Sequence, residues 1–106
     1  MTINNRTPGQ QVHDALVSAA EAKNDALIAE RKAKRVYAQV YLAATGSVEE
    51  RKQKAVDSDT YAEYEDKRID METKHNIARA EADGLQCRFN EWQTNNATRR
   101  AEMNLR

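Results

Sequence analysis

Val12, Ala15, Ala19, Ala22, Ala26, Ala29, Ala33, Val36, Val40 and Ala43 follow one another at alternating steps of three and four residues. A spacing that averages 3.5 residues keeps these side chains on one stripe of an α-helix and turns that stripe toward another helix. Most of the stripe is alanine. A methyl group lets two backbones approach to the short end of the usual 8–10 Å interaxial range, or below it. The gain per residue is small, since a buried methylene contributes about 0.8 kcal/mol, but close approach multiplies dispersion contacts. Alanine is also the best helix former, yet surface alanines need not keep step over so long a run. Leu16, Leu27, Ile28, Tyr37, Tyr41 and Leu42 flank the seam and widen it beyond a two-helix contact. The expected neighbours are therefore a second arm of the same chain and a second subunit.

With 106 residues, three Gly, one Pro and one Phe, the chain has room for one domain but not for a thick globular core. Charged residues make up 32%, a composition that suits long helices each burying one stripe. Seventeen basic side chains balance 17 acidic ones, which argues against a dedicated nucleic-acid binder. The single Cys87 has no partner for an internal disulfide, so a reducing compartment fits. No apolar run reaches the roughly 18 residues of a membrane span, and the N-terminus has no run of signal-peptide type. The expectation is a soluble, cytoplasmic protein with no membrane partner.

Residues 1–7 read as a flexible tail and residues 8–106 as one helical hairpin. Thr7 followed by Pro8 starts the first helix, with a hydroxyl cap and a proline at the first helical position. That helix spans about residues 8–44, roughly 55 Å at 1.5 Å per residue. Gly46 closes it with a left-handed cap. Ser47-Val48-Glu49-Glu50 fits a capping box that opens a short helix over about 48–56. Asp57 and Ser58 offer a further start, and the last helix runs over about 59–103. Its apolar residues form two stripes: Tyr61, Tyr64, Met71, Ala78, Ala82, Leu85, Phe89 and Trp92 on one, and Ile69, Thr73, Ile77, Ala80, Gly84 and Cys87 on the other. Long helices joined by a short corner lie antiparallel. The fold class is thus all-α: a long antiparallel hairpin with an alanine-rich seam, packed as an oligomeric bundle.

Charge agrees with that arrangement. The run Arg31, Lys32, Lys34 and Arg35 should come level with acids at the start of the last helix, among them Glu63, Glu65, Asp66, Asp70 and Glu72. Together with Arg51, Lys52 and Lys54 the run also forms a basic corner able to grip a phosphate backbone without reading its sequence, or a protein partner. A second candidate is the run Trp92, Gln93, Asn95, Asn96, Arg99, Arg100 and Arg106, where Trp92 could stack a base or serve as packing. His13 and His75 are too far apart along antiparallel arms to share a metal. Cys87 lacks a neighbouring histidine and reads as a small packed thiol. The carboxylate clusters read as solvated faces, and there is no glycine-rich phosphate loop. No catalytic, cofactor-binding or metal-ligating residue is expected.

Tyr37, Tyr41, Gly46-Ser47-Val48, Glu50-Arg51, Ala55, Leu85-Gln86, Trp92 and Met103 carry one further signal. Over roughly residues 33–105 the chain resembles a group of small helical proteins encoded by tailed bacteriophages, often beside recombination genes. The resemblance implies a phage origin, a place in the host-cell cytoplasm and an accessory role in DNA recombination or replication. It brings no catalytic residues. The reading that follows is a non-enzymatic, homo-oligomeric interaction or adaptor protein. The alternative is a sequence-nonspecific nucleic-acid-binding accessory that uses the basic corner.

Overall fold

The computed structural model describes residues 6–105. It contains three helices, α1 (Pro8–Ala43), α2 (Val48–Val56) and α3 (Asp59–Asn104), and no strand among the described residues. The protein is all-α. Most of the expected 1–7 tail lies outside the described residues.

Each helix start has a local chemical cause. At the start of α1 the Gln10 backbone N–H donates to Thr7 Oγ1 at 3.2 Å, and the Thr7 N–H donates to Gln10 Oε1 at 3.0 Å. Thr7 and Gln10 thus form a complete capping box, with Pro8 between them where its missing N–H costs nothing. Gly46 has φ +114°, a backbone region that side chains rarely enter. Lys54 Nζ donates to the Thr45 carbonyl at 2.8 Å and ties α2 back to the turn. Ser47 Oγ accepts from the Glu50 N–H at 3.2 Å. The reciprocal half of that expected box is not made, because the Glu50 carboxylate lies against Gly46 instead. Ser58, rather than Asp57, caps α3 by accepting from the Tyr61 N–H at 3.4 Å, while Asp57 ends α2.

The chain divides into two compact units. One comprises residues 20–75. Here Tyr37 of α1 meets Tyr61 of α3, and Lys23 and Ala26 share a groove with Glu72 and His75, so the helices run antiparallel. Ala29 and Ala33 of α1 and Ala55 of α2 are buried. The other unit joins residues 6–19 to residues 76–105. Val12, Ala19 and Ala82 are buried there, a Cβ on Gly9 would touch the Phe89 ring at 3.9 Å, and Leu85 shares a groove with Ala15 and Ser18. This order is again antiparallel.

Alanine dominates the interior of both units. Among the described residues no large side chain is fully buried. Of the seam, Val12, Ala19, Ala29 and Ala33 are buried, and Ala15, Ala22, Ala26, Val36 and Val40 are half-buried. Ala43 is exposed and does not belong to it. Tyr37 is level with Tyr61, and α3 begins only two residues before Tyr61, so no α3 turn remains to cover Ala43. On α3 the stripe from Tyr61 to Phe89 is the inner one, with Ala82 at its most enclosed point. Ile69, Thr73, Ile77, Ala80 and Cys87 of the second stripe are exposed, so the thiol expected to be packed faces solvent.

Candidate interaction surface

Within residues 20–75 the two sides of the seam differ in chemistry. On one side Glu30, Lys34 and Tyr37 of α1 face Tyr61, Glu65 and Arg68 of α3 across a groove of about 410 Å³. Arg68 organises it. Its Nη2 and Nε donate to Glu65 Oε1 at 2.6 and 3.0 Å, and its Nη1 donates to Glu72 Oε2 at 2.9 Å. Glu30 adds its charge from α1. One guanidinium therefore serves several carboxylates, using the fixed fork of donors that arginine presents.

Arg68 holds the Glu65 carboxyl below its ordinary range, chiefly by hydrogen bonding, and outweighs the opposing effect of burial. Burial raises the Tyr61 hydroxyl above its ordinary value, and the Glu65 charge and hydrogen bond act in the same direction. The Tyr61 and Tyr37 rings meet edge to face with centroids 5.5 Å apart. On this side the polar groups are spent on one another.

The opposite side differs in its charges. Ile28 and Ala29 of α1 and Tyr64 and Met71 of α3 floor a groove of about 240 Å³, with Lys32 on one helix and Lys67 on the other. Among the described residues neither lysine makes an ion pair, whereas Lys34 is paired to Glu30 at 3.2 Å and Lys74 to Asp70 at 3.2 Å. An apolar floor between two unpaired ammonium groups can hold an apolar side chain flanked by carboxylates.

The expected cross-helix charge pairing is not what the structure holds. In this unit the ion pairs among the described residues join side chains three or four apart on one helix. Arg31 and Arg35 sit two residues either side of buried Ala33 on the exposed face of α1, and Lys34, which lines the Arg68 groove, pairs with Glu30 of its own helix rather than with an acid of α3. The basic corner is also partly committed elsewhere. Lys54 serves the Thr45 carbonyl, and Lys52 stands 4.0 Å from Glu49. Arg51 lies over the Tyr41 ring at 6.0 Å, with its Nε buried and unpartnered. Arg31, Lys32 and Arg35 are exposed and make no ion pair among the described residues.

In the other unit Trp92 stacks on Phe89 at 6.0 Å and remains 49% exposed. Gln93, Asn95, Arg99 and Arg100 are exposed, Asn96 is half-buried, and Arg106 lies outside the described residues. His13 is exposed and His75 half-buried. Among the described residues no three His, Cys, Asp or Glu side chains gather where they could hold a metal ion. No described helix is long and apolar enough to cross a membrane.

Sequence reasoning missed Arg68, His75 and Lys67. Tyr61, Arg68, His75, Ala82 and Phe89 recur every seven residues and all turn inward. The repeat that marks the first helix was therefore present in the last. Polar residues at two of its steps, Arg68 and His75, hid it from a search for apolar side chains. No protein-family model matches the chain, and neither do curated proteins or solved structures.

Proposed function

We propose that this chain is a non-enzymatic helical interaction protein that acts as an oligomer. The observation that carries this reading is the mismatch between what is buried and what is not. The interior is made of alanine and valine, while Leu27, Ile28, Ile69 and Ile77 are 51, 42, 49 and 54% exposed. Large apolar side chains left outside a thin core are the surface from which helical assemblies are built. Alanine-sized interior contacts align the helices, and the larger residues remain available to partners. The phage resemblance adds the proposed setting, which is accessory work in DNA recombination or replication in the host cytoplasm. Light scattering coupled to size-exclusion chromatography tests the reading. A mass of two or more chains that persists on dilution supports it, and a monomer of 12.1 kDa at every concentration removes it.

The alternative is nucleic-acid binding by the corner, favoured by the free ammonium and guanidinium groups of Arg31, Lys32 and Arg35. Such binding would be independent of sequence and would fall steeply with salt. Gel shifts with single- and double-stranded DNA at low salt distinguish the readings. Binding lost when Lys32, Lys34, Arg35, Lys52 and Lys54 are changed to alanine supports this alternative, and no binding by the wild type ends it.

A further inference from the structure

We infer that the groove between Lys32 and Lys67 receives the acidic ridge of α3 from a second copy of this chain. The inference rests on the proposed self-association and names the surface responsible for it. Two observations lead to it. The groove has an apolar floor, Ile28, Tyr64 and Met71, and two cations, Lys32 and Lys67, that make no ion pair among the described residues; Asp25 of α1 is the one carboxylate among its lining residues, so two cations face one acid. Beside it on the outer face of α3, Glu63 and Asp66 are exposed and, among the described residues, make no ion pair, and Ile69 follows one turn later at 49% exposed. That ridge has the composition the groove is shaped to hold: carboxylates for the lysines and an isoleucine for the floor.

The groove and the ridge lie on adjacent strips of the same helix, so a two-fold axis can satisfy both at once. The groove of each copy takes the ridge of the other, as an isologous dimer requires. The opposed charges orient the two copies, and the isoleucine, tyrosine and methionine exclude water.

Sedimentation equilibrium of three chains tests this: the wild type, a groove reversal (Lys32→Glu with Lys67→Glu) and a ridge reversal (Glu63→Lys with Asp66→Lys), with circular dichroism to confirm that each is helical. The expected result is a wild-type dimer, weakening of about 100-fold or more in Kd for either reversal alone, and recovery when the two reversals are mixed. Mixing matches each altered surface to its complement, which a variant that had merely lost its fold could not achieve. A reversal that dimerises as tightly as the wild type overturns the proposed surface and leaves self-association standing. A wild type that is monomeric throughout overturns both. Monomeric reversals that do not recover on mixing also overturn the proposed pairing.

Discussion

Tyr37 and Tyr61 meet across the two long helices with ring centroids 5.5 Å apart and planes inclined at 65°. This edge-to-face contact is where the first turn of α3 meets α1. Such pairs contribute about 0.5–1.5 kcal/mol beyond area burial. A double-mutant cycle with Tyr37→Ala and Tyr61→Ala, followed by urea unfolding, should return a coupling energy in that range. A coupling near zero would mean that the rings only cover the groove and do not recognise each other.

The Arg68 network makes stability depend on pH in a stated direction. Glu65 has a folded pKa below its ordinary 4.5, so its stabilisation is complete above that value and is lost as pH falls through the lower folded value. Tyr61 is raised above 10.0, so its contribution is complete below that value and is lost as pH rises through the higher folded value. In Arg68→Met, Glu30, Glu65 and Glu72 keep their charges without the shared cation. The drop in Tm between pH 7 and pH 3 should therefore be smaller than in the wild type. An unchanged drop would show that Arg68 does not set the Glu65 pKa.

Gly46 holds φ +114°, and a methyl group there would meet Glu50 Cβ at 3.3 Å and run into its carboxylate. Gly46→Ala should destabilise by about 1–2 kcal/mol. Ser47→Ala, which removes the cap of α2, should cost about 1 kcal/mol. Chemical denaturation measures both. Recovery of the Gly46→Ala loss by adding Glu50→Ala would assign the cost to the side-chain clash rather than to the backbone.

Ala33 is 1% exposed and Ala82 is 0% exposed, on opposite helices and in different units. Leucine at either position forces the backbones apart, at a cost of about 1–3 kcal/mol. Ala43→Leu, at an exposed position of the same heptad series, should stay within about 0.5 kcal/mol of the wild type. If leucine were tolerated equally at all three, close helix approach would not be what the alanines supply.

The amino-acid sequence alone determined the helices and their ends, because the forces responsible act within a turn or two. Thr7, Pro8, Gly46, Ser47 and Ser58 each satisfy or withhold a nearby backbone group, and the alternating steps from Val12 to Val40 define one face of α1 wherever that helix is placed. Only the tertiary structure decided which residues of α3 stand level with that face. That level follows from where α2 returns the chain and where Tyr61 meets Tyr37. It leaves Ala43 uncovered and turns Arg68 and His75 inward. It also sets Lys32 and Lys67 along one groove, neither in an ion pair among the described residues. Local spacing carries no information about the alignment of two helices, so the difference between a side whose charges pair with one another and a groove whose lysines stay unpaired arises only once they are packed.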